Sequence, residues 1–261
     1  MSRRKKSRSA RAKGIYLLPN LFTTSGLFAG FYAIVAGMEG FFDYAAIAIF
    51  IAMLADSLDG RIARLTHTTS AFGGEYDSLS DTVAFGLAPA LVAYSFTLYS
   101  LGKIGWLAAF LYVAGTSLRL AKFNAKLNAG EGDKRYFYGV PCTAAAGFMA
   151  GLIWVLNKYQ IHVDYLGIVI AVTAVMLGAF QVSNIKYRSF KDSDFRGSVP
   201  FFLIFLVILV FVGIALDPPD VLFGIFFLYV FSGPVGAILG LFRRKKEVVV
   251  ESQDSVNTES H

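Results

Sequence analysis

Residues 56–81 read DSLDGRIARLTHTTSAFGGEYDSLSD, and this stretch decides how the rest of the chain must be built. It places four aspartates, at positions 56, 59, 77 and 81, inside or beside apolar segments. An ionised carboxylate in such surroundings costs several kcal/mol unless it is paired or bound to a metal ion. The stretch therefore predicts a site at which the four carboxylates are paired or hold metal.

The surrounding chain is too apolar for a soluble domain of its size. Of its 261 residues 56% are hydrophobic and only 16% are charged, and the mean hydropathy is +0.57. A transmembrane helix needs about 20 mostly apolar residues. We predict an all-α fold, a polytopic membrane helical bundle with about eight transmembrane helices. They are expected at residues 15–37, 42–66, 75–99, 104–121, 139–157, 164–184, 199–216 and 221–242.

The basic residues are distributed unevenly along these predicted spans. If the N-terminus is cytoplasmic, 22 of the 24 lysines and arginines fall on the cytoplasmic side, which is the positive-inside pattern. We expect an integral protein of the inner (cytoplasmic) membrane, with both termini and the aspartate site facing the cytoplasm. The net charge of +6 is then explained by topology, so no nucleic-acid partner is predicted.

The same pattern divides the chain into three parts. Residues 1–14 form a basic cytoplasmic tail, and residues 15–242 form the membrane domain. Residues 243–261 begin with four basic residues, which would end the last span, and continue as a polar tail. We expect this tail to be disordered because it has no hydrophobic periodicity.

Helical spacing brings the aspartates into two groups. With 3.6 residues per turn, one stripe of a helix holds positions 56, 59, 60, 63 and 64. Asp77 and Asp81 are four residues apart and share a face of the next helix. Because the link between the two helices is short, we expect antiparallel neighbours with both acid pairs at similar depth near the cytoplasmic surface.

Four acids in one pocket cannot all stay ionised without cations. Two divalent hard ions would neutralise them, since Mg²⁺ prefers oxygen ligands and bridges carboxylates to substrate phosphates. Two ions about 3.5–4 Å apart suit displacement at phosphorus. A proton or cation pathway is the alternative, because such pathways are also lined by carboxylates. Arg64 in the same stripe favours a phosphate ligand.

The first predicted span contains three further features. Pro19 is expected in its first helical turn, where the missing N–H does no harm. Asn20 and Thr23 would then either cap the helix or bind a polar head group. Gly26 and Gly30 form a small-xxx-small pair that predicts close helix packing.

The spacing D-x₂-D-G-x₂-A-R-x₈-G-x₃-D-x₃-D resembles the signature of the CDP-alcohol phosphotransferases at every fixed position. The chain also resembles the membrane-integral phosphatidylserine synthase branch of that family. This second resemblance rests on Pro19-Asn20-x-x-Thr23, on RLAKFN at 119–124, on YGVP at 138–141 and on SNIKYRSFK at 183–191. Lys122 and Val140 depart from the arginine and leucine that are usual in the branch, and a lysine lacks the bidentate geometry of arginine.

The resemblance implies transfer of the phosphatidyl group from CDP-diacylglycerol to the hydroxyl of L-serine, with release of CMP. The same chemistry on another acceptor, such as choline, glycerol 3-phosphate or inositol, is an alternative. A carboxylate-lined ion transporter is an alternative of another class. The resemblance further implies a homodimer in contact with membrane lipid.

Roles for individual residues are likewise implied by the resemblance. Two ions, Mg²⁺ or Mn²⁺, would be bridged by Asp56 and Asp77, with Asp59 completing the first site and Asp81 the second. Asp81 would also be the general base. The residues implied to bind CDP-diacylglycerol are Asn20, Thr23, Gly60, Arg64 and Ser70. Those considered for binding serine are Arg119, Lys122, Asn124, Lys186 and Arg188.

Overall fold

A computed structural model describes residues 3–66, 68, 70–128, 136–161, 163–188 and 201–237. These residues are almost entirely helical, which confirms the predicted all-α class. The helices are α1 (Arg3–Met38), α2 (Phe42–Leu65), α3 (Ala71–Phe96), α4 (Lys103–Asn128), α5 (Cys142–Lys158), α6 (Leu166–Val182), α7 (Phe201–Leu216) and α8 (Pro218–Ala237). Two three-residue strands, β1 (Tyr136–Tyr138) and β2 (Lys186–Arg188), pair antiparallel.

Four segments of the described chain are long and apolar enough to cross a membrane. They are Pro19–Met38, Ala71–Phe96, Lys103–Lys126 and Pro218–Ala237, and they indicate an integral membrane protein. Helices α5 and α6 are apolar but only 17 residues long, and α7 has 16. Helix α2 has 24 residues but carries Asp43, Asp56, Asp59, Arg61 and Arg64. The number of eight transmembrane helices thus stays a prediction, and residues 238–242 of the last predicted span lie outside the described residues.

The predicted start of the first helix was wrong. Helix α1 begins at Arg3, so Pro19 lies inside the helix instead of in its first turn. The preceding basic segment consists mostly of Arg, Lys and Ala, which favour helix. Asn20 and Thr23 therefore do not cap α1, and their binding of a polar head group stays a prediction.

Helix α1 packs between α2 and α3. It makes the most extensive contact with α2 and also contacts α3 along its length, whereas α2 meets α3 mainly beyond Asp81. The glycine pair allows this: a Cβ on Gly30 would lie 2.6 Å from Ala84 Cα, and one on Gly26 would lie 3.6 Å from Ala55 Cβ. The first turns of α3 thus contact α1 more extensively than α2, and the three helices surround a small cavity.

Helix α3 changes its winding directly after Asp81. It is α-helical over Ala71–Asp81 and Ala88–Phe96, and π-helical over Thr82–Leu87. Residue 89 is proline and has no N–H, so the Phe85 carbonyl lacks its usual α-helical donor. The hydroxyl of Tyr112, which is fully buried on α4, donates to that carbonyl at 3.1 Å. A wide turn of this kind is often found beside functional sites.

Candidate active site

Helices α2 and α3 bring three of the aspartates together. Asp56, Asp59 and Asp77 each offer a carboxylate oxygen, and these oxygens all lie within 4.8 Å of one another. Asp81 lies one turn further along α3. All four aspartates line one small cavity between α1, α2 and α3. The two spacings read from the sequence therefore do converge in space.

The chemistry of this group fits a divalent cation. Its donor atoms are carboxylate oxygens, the ligands that Mg²⁺ and similar hard ions prefer. Among the residues that the structure describes, no lysine or arginine forms an ion pair with any of the four aspartates. Their mutual repulsion is thus not offset by a side-chain ion pair in the described part of the chain, and a bound metal ion would offset it.

Hydrogen bonds hold the three helices in register at the depth of the acids. The hydroxyl of Thr23 donates to Asp59 Oδ2 at 2.9 Å and lies 3.2 Å from the Pro19 carbonyl oxygen. The hydroxyl of Ser80 donates to the Thr23 carbonyl oxygen at 3.1 Å. Asp59 is only 5% exposed, so its bond to Thr23 is formed away from solvent. Thr23 thereby orients one member of the acidic group.

A second cavity of about 360 Å³ opens beside the acids. It is lined by all five residues that were expected to bind the donor, namely Asn20, Thr23, Gly60, Arg64 and Ser70. Two of the acids, Asp59 and Asp77, form the wall that this cavity shares with the small one. Arg64 supplies a positive charge at its edge, which suits an anionic group such as a phosphate.

The N-terminus of α3 also borders this larger cavity. Ser70 caps the helix by accepting the Gly73 N–H at 3.0 Å. A Cβ on Gly73 would lie 3.1 Å from Ser70 Oγ and 3.6 Å from Asn20 Oδ1, so a larger residue would narrow the cavity. Helix N-termini favour anions because their first N–H groups point outward. The capped helix end and Arg64 thus give the cavity a preference for negative charge.

The residues considered for binding serine do not form one cluster. Asn124 Nδ2 donates to Ser78 Oγ at 2.9 Å, which joins α4 to α3. Lys122 Nζ donates to Asn184 Oδ1 at 3.1 Å. The charge of Arg119 acts on Asp81, and its buried Nε has no hydrogen-bond partner among the residues that the structure describes. The side chains of Lys186 and Arg188, on β2, lie outside what the structure describes.

Sequence reasoning missed several residues of the site. Thr68, only 7% exposed, lines the larger cavity, but it lies in a short loop that carries no periodic signal. Ser80 lines the small cavity. Because it follows Asp77 by three residues, helical spacing could have placed it on the same face of α3. The hydroxyl groups of Thr24 and Tyr76 are 3.0 Å apart and add a second link between α1 and α3.

The fold and this site agree with what sequence comparison finds. The family model described as CDP-alcohol phosphatidyltransferase matches residues 16–180. The chain therefore belongs to the CDP-alcohol phosphatidyltransferase family. Members of this family generally use divalent metal ions, in keeping with the acidic group described above.

Three relatives narrow the comparison further, and each carries the name CDP-diacylglycerol–serine O-phosphatidyltransferase. The Helicobacter pylori protein is 37% identical over 215 residues, which cover 82% of this chain and 90% of that one. The Bacillus subtilis protein is 33% identical over 174 residues, 67% of this chain and 91% of that one. The Methanocaldococcus jannaschii protein is 34% identical over 147 residues, 56% of this chain and 65% of that one.

Proposed function

We propose that this protein transfers the phosphatidyl group of CDP-diacylglycerol to the hydroxyl of L-serine, giving phosphatidylserine and CMP. The observation that carries the proposal is the acidic group of Asp56, Asp59 and Asp77, which borders a cavity of about 360 Å³ with Arg64 at its edge. The names of the relatives support serine as the acceptor.

The larger cavity is the proposed place of the cytidine diphosphate moiety. Its volume lies in the range of about 300–1,000 Å³ that is typical of small-molecule sites. Arg64 and the N-terminus of α3 would bind the diphosphate, and Asn20, Thr23, Gly60 and Ser70 would contact the donor. The small residues Gly60 and Ala63 leave room for a phosphate to approach the backbone of α2.

The four aspartates would hold two divalent ions, Mg²⁺ or Mn²⁺. Asp56 and Asp77 would bridge the pair, Asp59 would complete the first site, and Asp81 would complete the second. When bound, such ions offset the negative charge on the diphosphate and on the departing CMP. The hydrogen bond from Thr23 keeps the Asp59 carboxylate aimed into the site.

Asp81 is the proposed general base. It would accept the proton of the serine hydroxyl while the serine oxygen attacks phosphorus in line with the departing CMP. A positioned base of this kind typically contributes about 10²–10⁴-fold in rate. No covalent intermediate is needed, since no nucleophile stands out at the site. Cys142 is buried and behaves as a small apolar side chain.

The acceptor would be held by basic groups at the proposed cytoplasmic ends of the later helices. Arg119 is the best placed of these, because its charge acts on Asp81 and its buried Nε has no hydrogen-bond partner among the described residues. Lys122 and Asn124 already form hydrogen bonds with Asn184 and Ser78, so they would act mainly through positioning. Lys186 and Arg188 remain candidates on the evidence of sequence resemblance.

The membrane arrangement is part of the same proposal. All eight helices would cross the inner membrane, with both termini and the aspartate site on the cytoplasmic side. Residues 15–242 would form the catalytic domain, flanked by the basic tail 1–14 and by the polar tail 243–261. The protein would work as a homodimer surrounded by membrane lipid.

The decisive experiment uses purified protein, Mg²⁺, CDP-diacylglycerol and radiolabelled L-serine. The expected products are CMP and labelled phosphatidylserine in equal amounts. Product formed only with choline, glycerol 3-phosphate or inositol would overturn serine as the acceptor. Ion flux through liposomes that lack CDP-diacylglycerol, without any phosphatidyl transfer, would instead support the transporter.

A further inference from the structure

Gln181 is a buried polar side chain that the reaction described above does not use. It lies in the last turn of α6 and is 1% exposed. Neither its amide oxygen nor its amide nitrogen has a hydrogen-bond partner among the described residues. An unpaired buried amide costs free energy, and the cost is recovered when a ligand supplies the missing bonds. Gln181 therefore has the property expected of a binding residue in a site without its ligand.

The packing of α6 on α4 sets the level at which Gln181 lies. The two helices cross in close contact: a Cβ on Gly115 would lie 2.5 Å from the Gly178 carbonyl oxygen, and one on Gly178 would lie 2.7 Å from the Leu111 carbonyl oxygen. Gln181 follows Gly178 by about one helical turn, and Arg119 follows Gly115 by about one turn. Both helices run in the same direction from this crossing. Gln181 and Arg119 thus lie at the same depth along the two helices, on the side of the crossing that is nearer the aspartate end of the bundle.

The segment before α5 closes this region from another side. The Gly139 N–H donates to the Ile185 carbonyl at 2.9 Å, and the Val140 N–H donates to the Phe180 carbonyl at 3.1 Å. Gly139 has φ +78°, and a Cβ there would lie 2.2 Å from the Gln181 carbonyl oxygen, so only glycine fits. The backbone around Gln181 is therefore held in place by the segment that precedes α5.

Arg119 connects this region with the reaction centre. Its charge acts on Asp81, and its buried Nε has no hydrogen-bond partner among the described residues. The described residues that line the larger cavity do not belong to α4, α5 or α6. Arg119 and Gln181 thus lie outside the lining of the proposed donor cavity, as expected of groups that bind the acceptor instead.

We propose that Gln181 and Arg119 form the acceptor subsite, and that Gln181 selects a small zwitterionic amino acid. This inference rests on the proposed function. The Arg119 guanidinium pairs with a carboxylate. The Gln181 amide both donates and accepts hydrogen bonds, so it can serve a carboxylate and an ammonium group of the same molecule. Inositol and glycerol 3-phosphate lack the ammonium group, and choline lacks an N–H and a carboxylate.

The test is Gln181→Leu, which removes the amide and keeps a similar volume. Because the unpaired amide is lost, the variant is expected to melt at the same or a higher temperature than the wild type when serine is absent. The KM for serine is expected to rise at least tenfold, while the KM for CDP-diacylglycerol stays within twofold. Loss of a residue with a purely structural role would not raise the KM for serine while leaving the KM for CDP-diacylglycerol and the melting temperature unchanged.

Two further variants keep the test decisive. Gln181→Glu has nearly the same shape but cannot donate to a carboxylate, so it is expected to raise the KM for serine even if Gln181→Leu folds poorly. Thr173→Val on the same helix is the matched control, because the Thr173 hydroxyl bonds only to the Val169 carbonyl of its own helix. Its KM for serine is expected to equal that of the wild type.

Failure of this inference differs from failure of the proposed function. If the wild type makes phosphatidylserine and both Gln181 variants keep its KM for serine within twofold, the subsite is overturned and the function stands. If Gln181→Leu lowers the melting temperature without changing the KM for serine, Gln181 is structural and the subsite is again overturned. If the wild type uses only an alcohol without an amino group, both proposals are overturned.

Discussion

Asp59 and Asp81 show how differently the same residue type is held at this site. Asp59 is nearly buried and accepts a hydrogen bond from Thr23 of α1. Asp81 lines the same small cavity as Asp56, and the charge of Arg119 on α4 acts on it. A carboxylate fixed by a hydroxyl donor is suited to hold a ligand in one orientation. One that is influenced by both an acid and a cation is suited to exchange a proton.

Replacing Asp81 with asparagine tests the role of the base. We expect Asp81→Asn to abolish turnover, because the amide cannot accept the serine proton. Binding of CDP-diacylglycerol, followed as the rise in melting temperature on adding the donor, is expected to persist. Asp164→Asn, the same change in an exposed turn between α5 and α6, should behave like the wild type. Turnover by Asp81→Asn would remove Asp81 from this role.

Replacing Thr23 with valine tests the support of Asp59. The change keeps the shape and removes the hydroxyl that donates to Asp59 Oδ2. Loss of such an outer partner typically costs about 10–100-fold in metal affinity or activity. We expect the Mg²⁺ concentration for half-maximal rate to rise by that factor, and Thr23→Ser to restore it. An unchanged Mg²⁺ dependence in Thr23→Val would contradict the assignment.

At the scale of the helices, the sequence was informative wherever the signal is local. Apolar runs located the helices to within a few residues in most cases, and helical spacing grouped the aspartates correctly. What depends on contacts between distant segments could not be predicted. The π-helical segment needs Pro89 and the hydroxyl of Tyr112 on α4, and the small cavity that holds the aspartates is bordered by α1 as well as by α2 and α3.

The glycine contact between α1 and α3 can be tested by adding one methyl group. In Gly30→Ala the new Cβ would lie 2.6 Å from Ala84 Cα, so the two helices must separate. Overpacking of this kind costs about 1–3 kcal/mol, and we expect a lower melting temperature together with lower turnover, since Ala84 follows Asp81 by three residues. Gly224→Ala on α8 is the control, because no atom of another helix lies within 4 Å of that Cβ in the part of the chain that the structure describes. Equal melting temperatures for the two variants would contradict the contact.

At the scale of the whole molecule, the two ends of the bundle differ in chemistry. One end carries the aspartates, Arg64 and Arg119. At the other end, Lys158 of α5 pairs with Asp217, which links α7 to α8, and with Asp220 in the first turn of α8, and Asn157 donates to Asp43 of α2 at 2.8 Å. These polar contacts join three parts of the chain near the ends of apolar helices, as expected where a bundle meets water.

Chemical labelling can establish which end faces the cytoplasm. In a Cys142→Ser background, which lacks the native thiol, one cysteine is introduced at a time at two exposed positions. Leu65→Cys lies at the aspartate end, and Gln160→Cys lies at the opposite end. We expect a membrane-impermeant maleimide to label position 160 in intact cells and position 65 only after permeabilisation. The reverse pattern would place the aspartate site outside, and Cys142→Ser alone should remain unlabelled.

The π-helical segment has a consequence for insertions and deletions in this chain. A π turn accommodates one residue more than an α turn, so Thr82–Leu87 sets the rotational phase between the acidic half of α3 and the half that packs in the core. Deleting one residue there would let the helix continue as a regular α-helix. Because the wide turn holds the additional residue, this deletion would leave the two halves of α3 close to their present rotational phase, and Asp77 and Asp81 would keep their orientation. A single lost codon in this segment is thus expected to be less damaging than one between Asp77 and Asp81, where the helix phase would change by about 100°.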